Sequence, residues 1–163
     1  MTETTAPAHG TVRLSRHFDA PREDVYRAWT DPAEVAQWYG PDGWHVPFER
    51  IRIDGRVGGR WEVTMVRDTD GFEFPLGYEI LELREPSLVV LRHTEHDPGG
   101  AEATIVRVEL IEDGDGTLMT LSDGPMIADG VEHAAGGYDQ AFQKLAARLG
   151  SQDPQGAGGR SVR

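Results

Sequence analysis

The sequence contains no cysteine and no asparagine, and its one lysine is Lys144. Without thiols there is no thiolate nucleophile, zinc–thiolate site or iron–sulfur cluster. Without asparagine there is no N-glycosylation acceptor. Basic charge is also scarce: 16 Lys and Arg stand against 28 Asp and Glu, a formal charge of −12. The near-exclusive use of Arg over Lys reads as mutational bias rather than function. An acidic chain is poorly suited to a phosphate backbone, so no nucleic-acid partner is expected. No apolar run approaches the roughly 18 residues of a membrane span. The opening MTETTAPAHG lacks the basic and apolar regions of a signal peptide. These absences lead to the expectation of a soluble cytoplasmic domain.

The 163 residues suit one domain with tails. A chain of this size buries roughly 70% of its unfolded surface and needs no metal or disulfide to fold. Residues 1–10 and 151–163 are small and polar, and read as disordered tails around a body at 11–150. There is no internal repeat or linker.

Val12, Leu14, Arg16 and Phe18 share one strand parity. Pro21, Glu23 and Asp24 mark a helix start, and Val25 and Trp29 share its face. Asp31-Pro32-Ala33-Glu34 resembles a capping box that opens a second short helix. From Trp44 to Asp123 the pattern is strand and turn. Val46, Phe48, Ile51 and Ile53 change parity near Glu49–Arg50, which predicts a bulge there. Trp61, Val63 and Met65 form one inward set, and Phe74, Leu76, Tyr78 and Ile80 another. Strands are expected at 88–91, 106–110 and 117–121, joined by hairpin turns into one antiparallel sheet. A final helix is expected over 130–149, with Ala134, Tyr138, Ala141, Phe142, Leu145 and Leu149 as its apolar stripe. Such a helix must lie on the concave face of the curved sheet, and that packing commonly leaves a cavity.

The run RHFDAPREDVYRAWTDP at 16–32 and QWYGP at 37–41 resemble the opening of the domain named for the ATPase activator of the heat-shock-protein-90 chaperone. DGRVGGRW at 54–61 is similar to that family's Gly-Gly hairpin, and GYEILEL at 77–83 to its next strand. HAAGGYDQAFQKL at 133–145 resembles the start of its last helix, with Gly137-Tyr138 where the family more often has Gly-Trp. The resemblance implies an α+β fold of the SRPBCC superfamily: a START-like, birch-pollen-allergen-like helix-grip with two short helices after the first strand. It also implies an apolar cavity under the long C-terminal helix. The eukaryotic activator resembles this chain only in its C-terminal half. With ten residues ahead of the first strand, no separate chaperone-stimulating domain is expected here.

The candidate cavity residues are Trp38, Trp44, Trp61, Met65, Phe74, Tyr78, Met119, Tyr138 and Phe142. The tryptophans suit either a flat ligand or the core, and methionine suits a wall of variable shape. Arg16 is the polar candidate on an apolar strand face. It is expected either to pair with a carboxylate from a helix or neighbouring strand or to recognise a ligand carboxylate or phenolate, with Asp54 and Glu62 as candidate partners. His133 lies near the start of the last helix, where an acid–base role and simple exposure are both open. His93-Thr94-Glu95-His96 looks metal-like, but i and i+3 on a strand face opposite ways, so no metal site is expected. Gly130, Gly136 and Gly137 are costly within a helix. They imply close packing, a later helix start, or a flexible gate for a ligand.

No P-loop, Gly-x-Ser-x-Gly or paired-carboxylate signature is present, and no cofactor is expected. The leading expectation is a binding protein for a small hydrophobic or aromatic molecule. The alternatives are a co-chaperone-like module acting on a protein partner or as a homodimer, and a cavity enzyme of polyketide cyclase or hydrolase type.

Overall fold

The computed structural model of the chain describes residues 9–94 and 103–152. Strand β1 (His9–Phe18) buries Val12 and Phe18 and turns Arg13, Ser15 and His17 to solvent, as its alternation dictates. It starts at His9 rather than Thr11; residues 1–8, the rest of the expected tail, lie outside the described residues. Helix α1 (Arg22–Thr30) carries Glu23 and Asp24 in its first turn, where the helix dipole favours anions. Helix α2 (Pro32–Trp38) starts from Asp31, whose side chain accepts the Ala33 N–H at 2.9 Å. Glu34 reaches the Arg148 guanidinium at 3.2 Å and so joins α2 to the C-terminal helix.

The remaining strands are β2 (Trp44–His45), β3 (Arg52–Ile53), β4 (Arg60–Arg67), β5 (Glu73–Arg84), β6 (Leu88–His93), β7 (Ile105–Asp113) and β8 (Gly116–Ile127). They form one antiparallel sheet in the order β1-β8-β7-β6-β5-β4-β2, with β3 also on β4. The stretch expected as one bulged strand at 46–53 is instead broken. Pro47 leads into a 3-10 turn at Phe48–Arg50, closed by the Arg50 N–H on the Pro47 carbonyl at 2.9 Å. The register shifts of the sheet fall elsewhere, between Gly10 and Val12 and between Ile80 and Glu82. Of the His93–His96 motif, His93 ends β6, and Glu95 and His96 lie outside the described residues.

Helix α3 (Ala128–Gln152) begins earlier than Gly130 and runs past Gly150; residues 153–163 lie outside the described residues. It packs against β1 and β8 on one side and α1 and α2 on the other. This is the helix-grip fold. The two halves of α3 do different work. Ala141, Phe142, Leu145 and Leu149 are buried in the core. There Trp29 meets Trp38 edge-on at 4.9 Å between ring centroids and Phe142 at 6.3 Å. All three indoles donate inward: Trp38 to the Ala28 carbonyl at 3.0 Å, Trp61 to the Trp29 carbonyl at 2.8 Å, and Trp29 to the Met119 sulfur at 3.3 Å. The first half of α3, with Ala134 and Tyr138, is only half-buried.

Candidate functional site

Between that first half of α3 and the inner face of the sheet, the side chains leave a cavity of about 340 Å³. Met65 on β4 and Phe74 and Leu76 on β5 form one apolar wall; Ala134, Gly137 and Ala141 form the roof. The loop after α2 closes one end. It turns through Gly40 and Gly43, both in the left-handed region at φ +102° and +87°, which favours glycine. The loop is tied to α3 at three points. The Asp42 N–H donates to Gln140 Oε1 at 2.9 Å, and Lys144 Nζ donates to the Pro41 and Trp44 carbonyls at 3.2 and 3.3 Å. Burial lowers the Lys144 pKa.

The other end of the cavity is polar. Asp123 on β8 is 3% exposed and His93 on β6 is 6% exposed. Asp123 accepts from the Tyr138 hydroxyl at 2.8 Å and from His93 Nε2 at 3.1 Å. A carboxylate can only accept from the imidazole, so Nε2 carries a proton. His93 Nδ1 is left buried without a partner. Tyr78, opposite His93 in the sheet register, meets its ring edge-on at 4.6 Å. The Tyr39 and Tyr78 hydroxyls pair with each other. Burial is the largest cause that raises all three phenols above their ordinary range. It pushes Tyr39 up to about 12. Tyr78 and Tyr138 are held well above the usual phenol range, with the nearby Asp123 charge adding to the effect. All three are neutral hydrogen-bonding groups at neutral pH.

Met65, Phe74, Tyr78, Tyr138 and His133 line the cavity. His133 is exposed and stands at its mouth. Trp38, Trp61, Met119 and Phe142 do not line it. Each is at most 2% exposed and packed in the core, where the indole hydrogen bonds and ring contacts hold them. Trp44 lies outside, against Phe72 and under the Arg67 guanidinium, where it borders an outer groove of about 530 Å³ that shares Met65, Phe74 and His133 with the cavity. Arg16 faces inward as its parity requires, but its partner is neither Asp54 nor Glu62. Asp54 is taken by Arg52 and the Arg60 N–H, and Glu62 by Arg60. Arg16 lies over the Phe18 ring at 5.9 Å and pairs with Asp139 of α3 at 3.9 Å, away from the cavity. Among the described residues, no group of three His, Cys, Asp or Glu is placed to hold a metal ion.

The residues missed by sequence reasoning are Tyr39, His93 and Asp123. Asp123 continues the inward parity of Met119 and Leu121, and His93 that of Val89 and Leu91. That parity was the available signal once both strands are allowed to run on.

This sheet, helix and cavity can be set beside known proteins. The family model described as Activator of Hsp90 ATPase homolog 1-like protein matches residues 19–150. The chain belongs to this family. The fold of this AHSA1-like chain is similar to the crystal structure of protein CV1439 from Chromobacterium violaceum, at 27% identity and a TM-score of 0.76, over 85% of this chain and 96% of that one. It is also similar to the AHSA1 protein from Silicibacter pomeroyi, at 23% identity and a TM-score of 0.73, over 88% and 99% of the two chains. The AHSA1-like protein from Aeromonas hydrophila shares the fold at 21% identity and a TM-score of 0.70, over 85% and 94%. No curated protein matches the sequence. No helix among the described residues is long and apolar enough to cross a membrane.

Proposed function

We infer that this AHSA1-like domain binds a small, mainly apolar or aromatic molecule in the space between its sheet and α3. One observation carries the reading: the interior is not filled by side chains. A cavity of about 340 Å³ remains, with apolar walls and a few convergent polar groups at one end. That is the ordinary make-up of a small-molecule site, whose volumes start at about 300 Å³. The alternative of acid–base catalysis has less support from the geometry. The phenol pKa values are pushed further from neutrality, and Nδ1, the His93 nitrogen that Asp123 leaves free, is buried. His133 is the one imidazole on the mouth.

The test is native mass spectrometry of the purified protein, followed by denaturing extraction, together with an NMR titration using naphthalene. A copurified apolar molecule, or naphthalene shifts centred on Leu76, Ala134 and Ala141, is the expected result. A clean apo mass together with no naphthalene shift at those residues overturns the reading.

A further inference from the structure

The polar end of the cavity is more specific than an apolar pocket requires. Burying hydroxyls, an imidazole and a carboxylate beside a cavity is unfavourable unless their hydrogen bonds are met. The protons can be counted. Tyr138 donates to Asp123 Oδ2, and His93 Nε2 donates to Asp123 Oδ1. The Tyr39 and Tyr78 hydroxyls pair with each other, and whichever donates, the pair uses one of its two protons. The other proton has no acceptor among the described residues, and both tyrosines line the cavity. The set therefore presents one spare donor, and the tyrosine oxygens keep acceptor lone pairs.

Charge narrows the choice further. The titratable groups on the cavity wall are Tyr39, Tyr78, Tyr138, His93, Asp123 and His133. Neither Arg nor Lys is among them. The arginine whose strand parity aims it inward, Arg16, is turned to Asp139 instead. A ligand carboxylate or phosphate at this end would meet Asp123 with no Arg or Lys on the wall to offset the repulsion. A purely apolar ligand would leave the spare tyrosine proton unpaired.

We propose that the inner end of the cavity recognises a neutral oxygen function, a phenol, alcohol or ketone, on an otherwise apolar molecule, and discriminates against acids. The ligand oxygen accepts from the Tyr39–Tyr78 pair, and a ligand hydroxyl can in turn donate to a tyrosine oxygen or to Asp123. This rests on the cavity reading above and names the ligand class for it.

Three probes of one shape separate the two claims: naphthalene, 2-naphthol and 2-naphthoate, titrated near neutral pH by NMR or calorimetry. We expect 2-naphthol to bind about tenfold more tightly than naphthalene, the scale of one buried hydrogen bond. 2-Naphthoate should bind at least about tenfold more weakly than 2-naphthol. Tyr39→Phe combined with Tyr78→Phe, which removes both hydroxyls of the pair, should abolish the preference for 2-naphthol. Should the double variant fold poorly, the ranking of the three probes on the wild-type chain still decides the proposal. Equal affinity for naphthalene and 2-naphthol, 2-naphthoate binding as tightly as 2-naphthol, or a preference that survives the folded double variant overturns the proposal and leaves the apolar cavity standing. If none of the three probes binds, the cavity reading fails and this one with it.

Discussion

Replacing Gly136 and Gly137 with alanine tests whether the roof of the cavity is deliberately loose. Both lie inside α3, which starts at Ala128, so a late helix start does not explain them. Close packing does not either. A Cβ built on Gly136 meets nothing within 4 Å, and one on Gly137 comes only to 3.8 Å from Pro41, an ordinary contact. Each glycine in a helix interior costs about 1 kcal/mol relative to alanine. With no clash to offset the gain, Gly136→Ala with Gly137→Ala should stabilise the domain by about 2 kcal/mol. For a domain of this size that is roughly 4–8 °C in Tm. The assay is thermal unfolding beside native-state hydrogen exchange. In the wild-type chain the amides of 128–138 should exchange faster than those of 141–148, which are anchored by Phe142, Leu145 and Leu149. In the double variant that gap should narrow. Association and dissociation of a bound probe such as naphthalene should both slow. An unchanged or lower Tm would refute the packing argument. Uniform protection across both segments in the wild-type chain would refute the gate.

Two further outcomes follow from the geometry. Trp38→Ala removes a fully buried indole and its bond to the Ala28 carbonyl. It should cost about 3–5 kcal/mol in denaturant unfolding, and a loss below about 1 kcal/mol would show that this cluster is not a close-packed core. His17, held between Asp113 at 2.9 Å and Asp19 at 3.1 Å, has its pKa raised above 6.5, chiefly by the Asp113 hydrogen bond. Between 6.5 and the raised value the folded chain binds more protons than the unfolded one. This contribution is therefore full below 6.5 and is lost as pH rises through the folded pKa. NMR titration of the His17 ring should show the raised midpoint, and Asp113→Asn should bring it down towards 6.5; a midpoint indifferent to that change would refute the assignment.

The helix-grip architecture was legible because its determinants are local. Val12 to Phe18, Trp61 to Met65 and Phe74 to Ile80 alternate, α2 begins at Asp31-Pro32, and the stripe from Ala134 to Leu149 has a single period. The 3-10 turn at Phe48–Arg50 was less legible. A change of parity is the same signal whether the chain bulges or leaves the sheet, and the Pro47 ring favours the second. The site was half legible. Parity says that Met65, Phe74, Tyr78 and Tyr138 face inward, but it cannot say which inward side chains touch one another and which touch empty space. Trp38, Trp61, Met119 and Phe142 belong to the first group because the indole N–H groups find carbonyls and a sulfur inside the core. Arg16 chose Asp139, 123 residues away along the chain, and nothing in strand spacing reports a helix that packs across from it. Asp123 and His93 were hidden for a different reason. Polar residues at the ends of apolar runs read as the ends of strands, whereas here both strands continue and carry those groups into the interior.

The division of α3 has a consequence for how the protein can be altered. Phe142, which packs on Trp29 and Trp38, and the cavity roof at Ala134 and Gly137 lie on different turns of α3. What holds the chain folded and what shapes its vacant space are thus set largely by different residues, with Ala141 shared between them. Substitutions along 130–138 can recast the contents of the cavity while the C-terminal turns keep the scaffold intact. The same backbone can serve as a container whose lid is rewritten independently of its frame.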